Sequence, residues 1–416
     1  MNYRFVVIFI FTFATIECQN VAYDANANNK DGTMDVETTN LEEEIFKPKH
    51  PDLCTVYDNI DCNNRNLTHH FEDEQWYNKS IKIASFEGNL LVHVKPFPKV
   101  EISKLSLQKN QIMKIDPRAF KEIINLTVLD LSHNQLTTEN LKPAVFEGKF
   151  SSDAYEPLEK LIILNLAHNM LHSLHQDLFE HMESLKVLNL SWNLFSKIDE
   201  RTSIAISSLP YLEELDLSYC GLKTLSDIHF YSRLNLSGNL LTSAPKALEE
   251  TTMLEVLYLD ENPIQIINYL YPFPLIPKLK VLSLCCMPHL TIVGPYAFPG
   301  LTSLEELRIK NCPKLESIDD YALASKVTSS GNNLWPPLKT LDLSDNALRY
   351  LPQQLVARWD WLEKLDLMNN KWSCDCNNQY LVSSGNHETH NPLPFVSLAF
   401  VACLVLFEEK LRDRDD

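Results

Sequence analysis

One pattern of apolar and polar positions recurs between residues 81 and 373. Apolar residues, mostly leucine, stand at the first, fourth, sixth and eleventh positions, and asparagine usually stands at the ninth. Two of the clearest copies begin at Leu126 and Leu338. About twelve units align on the ninth position, which is Asn89, Asn110, Asn134, Asn169, Asn193, Cys220, Asn239, Asn262, Met287, Cys312, Asn346 and Asn370.

The apolar positions within each unit predict a short strand, because side chains alternate across a strand and the two flanking leucines then point to one side. One unit cannot bury its own apolar side, whereas stacked units share a continuous core. The spacing does not fit a helical period of about 3.6 residues. We therefore predict an α/β solenoid shaped as a horseshoe, with short parallel strands on the concave face and irregular or helical segments on the convex face.

The ninth position predicts a ladder of side chains that joins the units. Asparagine has both a donor and an acceptor, so it can satisfy backbone groups in the turn after each strand. Cys220 and Cys312 fit the same slot as small weak donors. Met287 cannot donate, so we expect its unit to be distorted. Phenylalanines about ten residues later predict a second apolar column, made of Phe120, Phe146, Phe179 and Phe298.

Two units are longer than the others, and we predict surface loops at 142–157 and 324–337. Before the repeats, residues 1–18 predict a cleaved signal peptide, with Arg4 ahead of an apolar run; an uncleaved membrane anchor is the alternative. Residues 19–50 are polar and acidic and predict a flexible leader.

Secretion predicts an oxidising compartment, in which Cys54 and Cys62 would form a disulfide within an N-terminal cap at 51–80. Cys286 either pairs with Cys312 in the next unit or stays, like Cys285, an unpaired thiol. Secretion also predicts glycosylation at the sequons Asn66, Asn78, Asn125, Asn189 and Asn235.

The run Trp372-Ser373-Cys374-Asp375-Cys376 follows the last unit. It resembles the start of the cysteine-rich C-terminal cap of animal extracellular leucine-rich-repeat proteins, and the resemblance covers about residues 50–381. The unit ending at 312–315 looks most like the insect members. Related ectodomains are those of Toll receptors, chaoptin-like adhesion proteins and the acid-labile subunit of growth-factor-binding complexes.

That family's cap uses four cysteines, and the two later ones are missing here, so 374–391 is an incomplete cap. Cys374 and Cys376 are too close to pair comfortably with each other. A disulfide-linked dimer, reduced thiols and a truncated C-terminus remain open. Residues 392–407 are apolar, and Leu393–Phe407 would extend roughly 22 Å as a helix against a ~30 Å bilayer core. We favour a single membrane span there over a secreted tail, followed by a charged tail at 408–416.

The formal net charge of −18 argues against nucleic acid and anionic membrane surfaces as partners. The sequence contains no G-x-S-x-G, H-E-x-x-H or P-loop motif, and its 13 histidines are scattered. The C-x-C pair has no matching cysteine or histidine pair at zinc-site spacing. We therefore predict a binding protein and not an enzyme, with no cofactor and no metal.

Candidate binding residues stand just before the ladder position in successive units. Rings there bury much area at low entropic cost, which favours a ligand-binding stripe on the concave face, although packing beside the ladder would explain them too. Glycans on Asn189 and Asn235 would crowd the same face and favour the convex side, an edge or the loops instead. The stripe is Lys109, His133, His168, Trp192 and Tyr219.

A set of acidic residues offers a second hypothesis, a basic partner; the alternative is that these charges only keep an exposed sheet soluble. The set is Glu213, Glu214, Asp216, Glu255, Asp260 and Glu261.

Taken together, the sequence features predict an extracellular or cell-surface recognition protein that binds a protein ligand or receptor in adhesion, development or signalling. The alternative is a soluble innate-immune factor that binds microbial glycans or another defence protein.

Overall fold

The computed structural model describes residues 54–56, 59–72, 76, 81–150, 155–156, 158–225, 232–326, 333–356 and 362–373, all within one compact unit, Lys49–Asp416. The predicted signal peptide, leader, incomplete cap, membrane span and tail lie outside these residues, as do Asn78, Cys374 and Cys376.

A fourteen-stranded sheet organises the described residues. Its first strand pairs antiparallel with the second, and every later pairing is parallel. Twelve of the strands belong to the twelve aligned units, so the chain makes about eleven turns between the first and the last. In spatial order the strands are β1 (Thr55–Val56), β2 (Asn59–Asp61), β3 (Ile83–Ser85), β5 (Lys104–Ser106), β7 (Val128–Asp130), β10 (Ile163–Asn165), β11 (Val187–Asn189), β12 (Glu214–Asp216), β13 (Arg233–Asn235), β14 (Val256–Tyr258), β16 (Val281–Ser283), β18 (Glu306–Arg308), β22 (Thr340–Asp342) and β23 (Lys364–Asp366).

The remaining elements are short. Two small parallel sheets form beyond the ladder, one from β4 (His93–Val94) and β6 (Lys114–Ile115), the other from β15 (Ile266–Ile267), β17 (Ile292–Val293) and β19 (Ser317–Ile318). Helices are α1 (Glu200–Ser207) and α2 (Gln353–Val356), with 3-10 turns at Pro143–Val145 and Lys246–Glu250. Both long units carry antiparallel hairpins, β8 (Lys149–Phe150) with β9 (Tyr155–Glu156) and β20 (Ser325–Lys326) with β21 (Asn333–Leu334). The predicted solenoid of parallel strands with little helix is confirmed.

The core follows from the strand register. The central residue of each three-residue strand points inward, and Leu164 lies opposite Leu129 and Leu188 in its neighbours. All three are fully buried. The residues on either side of each central leucine face outward, so the exposed face of the long sheet is made of the variable positions.

The ladder forms as the sequence predicted. Asn262 accepts the N–H of Leu241 through Oδ1 at 3.1 Å. Its Nδ2 donates to the carbonyls of Leu236 and Leu259, both at 2.9 Å. Cys220 and Cys312 occupy the same slot, and each thiol donates to the carbonyl of the preceding unit, at 3.3 and 3.4 Å. Backbone groups that would be costly to bury unpaired are thereby satisfied along the stack.

The expected distortion at Met287 is wrong. Met287 is fully buried, and β16 pairs in register with both β14 and β18. The carbonyl of Leu259, which an asparagine at 287 would have bonded, already accepts from Asn262. The apolar side chain therefore fills the slot without displacing the strand.

The predicted phenylalanine column is present and is longer than expected. Phe120 stacks between Phe97 and Phe146, with ring centroids 6.0 Å apart on each side. Phe273 and Phe298 lie 5.7 Å apart further along the stack. Phe179 is also buried. The rings form a second apolar layer behind the leucines.

Candidate functional site

The five residues of the predicted stripe share one unusual backbone conformation. Their φ angles lie between 52° and 56°, in the left-handed region that non-glycine residues rarely adopt. The conformation lets each amide bond the next unit; the N–H of Trp192, for example, donates to the carbonyl of Ser218 at 2.9 Å. In five of the other units the same position holds residues that tolerate this region, namely Gly88, Gly238, Asn311, Asp345 and Asn369, and in the remaining two it holds Glu261 and Cys286. Rings at these positions are therefore not explained by backbone preference.

Four members of the stripe form one continuous stack of rings. The centroids of His133 and His168 are 3.9 Å apart, those of His168 and Trp192 5.0 Å, and those of Trp192 and Tyr219 4.2 Å. All three pairs are within 15° of parallel. Trp192 remains 45% exposed. Lys109 is instead held by Glu87 through a 2.9 Å ion pair.

Gly238 marks the end of the ring stack. A Cβ atom built on Gly238 would lie 2.3 Å from the ring of Tyr219, so the ring covers the glycine and needs its lack of a side chain. The stack therefore has a fixed length and a fixed end.

The ring stack carries no charge at neutral pH. Burial lowers the pKa of His168 to about 4, and His133 lowers it further in the same direction. Burial likewise lowers the pKa of His133. Burial and the neighbouring Glu261 raise the pKa of Tyr219. The stack is an apolar surface edged by neutral polar groups.

This arrangement predicts a loss of stability in acid. In the unfolded chain a histidine takes up its proton near pH 6.5, whereas His168 in the fold does so only at about pH 4. The unfolded state therefore binds more protons between these values, and the free energy of unfolding falls as the pH drops through that window. Thermal melts should show a weaker pH dependence for His168→Phe, which keeps a ring but cannot titrate. Identical pH dependence in the two proteins would contradict the assignment.

Sequence reasoning missed a second exposed column, which directly follows the ladder position. Leu194 is 62% exposed and Leu240 is 50% exposed, and Met170 is exposed as well. The matching positions in other units include Gln111, Gln135, Pro263 and Pro288. Aligning the repeats by position would have shown the change from polar or proline to large apolar residues. We call Met170, Trp192, Leu194, Tyr219 and Leu240 together the apolar ridge.

The acidic set does not form an open acidic patch. Glu213 pairs with Lys186 at 2.7 Å, and Glu255 pairs with Lys280 at 2.9 Å. Asp216 is buried, and burial raises its pKa. Because most of these carboxylates have partners within the solenoid, the structure gives no support to a basic partner bound by this set.

The sequons differ in exposure. Asn66 is exposed, whereas Asn125 and Asn189 are half-buried. Asn235 is only 9% exposed, and its Nδ2, the atom that would carry a glycan, donates to Asp216 at 3.3 Å. We predicted from the sequence that a sugar on Asn235 would crowd the sheet face. That prediction conflicts with this geometry, because the Asn235 side chain is buried and hydrogen-bonded.

We therefore expect the protein, when expressed through the secretory pathway, to carry a glycan on Asn66 and none on Asn235. A sugar on Asn235 would have to break the contact with Asp216 and leave a buried carboxylate with fewer donors. Mass-spectrometric peptide mapping before and after enzymatic deglycosylation measures occupancy at each sequon. Full occupancy at Asn235 in the folded protein would contradict the described packing.

The cysteines settle two sequence predictions. Cys54 and Cys62 form a disulfide, as predicted. Cys312 is a buried free thiol and does not pair with Cys286, and the alternative of an unpaired Cys286 is also wrong, because Cys286 is disulfide-bonded. The two side chains point in opposite directions. Cys312 points inward as part of the ladder, whereas Cys286 lies in the outward-facing column of left-handed residues, with a φ of 55°. Cys285 is a buried free thiol, and burial raises its pKa to about 11.

The described residues contain neither a metal-site cluster nor a membrane-spanning helix. None of their side chains form a group of three or more histidine, cysteine or acidic residues placed to hold a metal ion. No helix within this part of the chain has the length and apolar character needed to cross a membrane.

Comparison with known proteins agrees with the fold. Residues 101–148 and 159–222 match the family described as leucine rich repeat, and residues 278–347 match the BspA type leucine rich repeat region. Lumican from Gallus gallus is 31% identical over 220 residues, which cover 52% of this chain and 54% of lumican. Tsukushi from Gallus gallus is 27% identical over 286 residues, covering 67% and 71%.

Among solved structures, the leucine-rich repeat domain of APL1B is 26% identical with a TM-score of 0.44, covering 65% of this chain and 69% of that domain. The chain spans about half the length of lumican and of keratocan from Bos taurus, 54% and 51%. The described residues form a parallel-strand solenoid of the kind found in leucine-rich-repeat proteins.

Proposed function

We propose that this protein is an extracellular recognition protein of the leucine-rich-repeat type that binds a protein ligand or receptor through the ring stack of its sheet face. The observation that carries the proposal is the set of four stacked rings at backbone positions that favour glycine, asparagine or aspartate. The left-handed conformation is common to this position along the whole solenoid, so the rings, and not the backbone, distinguish these four units.

The chemistry of the stack suits a protein surface. Aromatic side chains bury a large area, and rings already held by stacking lose little conformational entropy on binding. Trp192 lies near the middle of the stack with 45% of its surface exposed, and Leu194 and Met170 extend the apolar area beside it. Tryptophan and tyrosine are enriched among residues whose truncation weakens protein interfaces most.

Extracellular placement draws support from several features. The N-terminal eighteen residues have the pattern of a signal peptide, and the Cys54–Cys62 disulfide suits an oxidising compartment. The similarity to lumican and Tsukushi is consistent with a secreted or cell-surface protein. Within this proposal, residues 392–407 anchor the protein at the cell surface. Resistance of the membrane-bound protein to carbonate extraction supports that anchor, and release would favour the soluble factor.

A surface-protein binding screen tests the proposal. The purified protein is screened against an array of secreted and cell-surface ectodomains, and each hit is measured again with Trp192→Ala. We expect affinity to fall at least about tenfold, as for a central aromatic interface residue. Tyr211→Ala is the matched control, because Tyr211 is an exposed ring outside the stripe and the ridge. Unchanged affinity for Trp192→Ala, with an unchanged melting temperature, would refute the role of the stack.

A further inference from the structure

A gap interrupts the apolar ridge at Gly221. Leu194, Gly221 and Leu240 occupy the same position, directly after the ladder, in three successive units. A Cβ atom built on Gly221 would meet no other heavy atom within 4 Å, so the space above the glycine is open. The two leucines on either side are 62% and 50% exposed. The glycine therefore lies between two exposed apolar walls.

The repeat fixes the width of this gap. Adjacent parallel strands are about 4.8 Å apart, so equivalent positions two units apart are separated by roughly 10 Å. That distance accommodates one branched or aromatic side chain between the two leucines. The gap is thus the size of a single anchor residue, and is too narrow for an element of secondary structure.

The sheet side of the gap is closed by rings. Trp192 and Tyr219 stack at 4.2 Å, and the ring of Tyr219 extends over Gly238 in the next unit. Beneath the gap, Cys220 and Leu222 are buried. The two leucines and the floor are therefore apolar, whereas the ring side also carries the Trp192 N–H and the Tyr219 hydroxyl, which bonds Glu261.

The remaining side of the gap is basic. Lys197 and Lys223 are exposed and belong to adjacent units, which are joined there by a bond from the amide of Lys223 to the carbonyl of Ser196. Neither lysine forms an ion pair within the described part of the chain. The other basic residues of this region, Lys186 and Arg233, are paired with glutamates. In a chain with a net charge of −18, these are two lysines without an ion pair, although Asp199 lies close enough to Lys197 for their charges to interact.

We infer that the partner bound at the ridge is a protein segment that inserts one large apolar side chain above Gly221 and places an acidic side chain against Lys197 and Lys223. This inference rests on the proposed function and specifies the partner. The apolar anchor supplies buried area at the centre of the contact, whereas the acidic residue selects the orientation in which the segment lies across the ridge.

A phage-displayed library of random peptides, selected on the full-length protein, tests the inference. We expect enriched peptides to share a large apolar residue beside aspartate or glutamate. Their affinity should fall at least about tenfold for Gly221→Asn, because asparagine tolerates the left-handed backbone and its side chain fills the gap. Lys223→Glu should weaken the same peptides. Leu270→Asn is the matched control, since Leu270 is an equally exposed leucine outside the ridge.

The outcomes separate the two proposals. An absence of enrichment, enrichment of basic peptides, or full affinity for Gly221→Asn overturns the inference. Peptides or ectodomains that lose affinity for Trp192→Ala but not for Gly221→Asn leave the recognition function standing and remove only the anchor site. Melting temperatures of all variants show whether each change acts on binding or on folding.

Discussion

Replacing Asn262 with alanine should lower the free energy of unfolding by about 3–5 kcal/mol. The Asn262 side chain is completely buried, and it alone bonds the N–H of Leu241 and the carbonyl of Leu259. Both groups are inside the solenoid, where water cannot replace the lost partner. Each buried group left unpaired costs about 1–3 kcal/mol, and the small cavity adds to the loss. Urea denaturation followed by circular dichroism measures the change.

Met287→Leu is the matched control for this experiment. Met287 is in the same ladder column and is equally buried, but its side chain makes no ladder hydrogen bond, and leucine nearly conserves its volume. We expect a loss below about 1.5 kcal/mol for this variant. If Asn262→Ala were no more destabilising than Met287→Leu, the ladder would not contribute to stability as described.

Replacing Phe120 with alanine should cost about 3–5 kcal/mol, the range for truncation of a fully buried ring. Phe120 lies between Phe97 and Phe146 in the phenylalanine column. Its removal opens a cavity between two units, and the neighbouring rings cannot collapse into it without moving their own turns. The same denaturation experiment measures the effect.

The control for Phe120 is Tyr211→Ala, an exposed ring whose removal should change stability by no more than about 0.5 kcal/mol. Equal losses for the two variants would indicate that the rings do not form a packed layer behind the leucines. A large effect confined to Phe120 supports the shared core on which the solenoid depends.

Much of the fold could be predicted because its information is local and repeated. The spacing of leucines such as Leu129 and Leu131 defines a strand, and the asparagine three residues later identifies the ladder. Each unit supplies the same evidence, so errors in one unit do not alter the conclusion. The disulfide between Cys54 and Cys62 followed from compartment and position in the same way.

The site was harder to predict because its geometry arises between units. Sequence placed His133, His168, Trp192 and Tyr219 in one column, but the left-handed backbone and the stacking distances depend on the turn that joins each strand to the ladder. That backbone also points Cys286 outward, away from the inward-facing Cys312.

Contacts between neighbouring units explain the other points at which the structure differs from the sequence predictions. The pairing of Glu213 with Lys186 joins residues 27 positions apart, and no pattern within one unit reveals it. No pattern within one unit explains Met287 either. Its unit is regular because the carbonyl of Leu259 already accepts a hydrogen bond from Asn262 of the neighbouring unit. The exposed Leu194 and Leu240 were visible in principle, but only after the units had been compared position by position.

Hydroxyl-radical footprinting of the protein, free and bound to a partner from the ectodomain screen, tests the recognition surface most directly. The method reports solvent access at oxidisable side chains, and Met170 and Trp192 are both exposed in the free protein. We predict that partner binding protects Met170 and Trp192, while Met113, an exposed methionine outside the ridge, is labelled as before. A complex in which Met170 and Trp192 are oxidised at the same rate as in the free protein would contradict recognition through the ring stack.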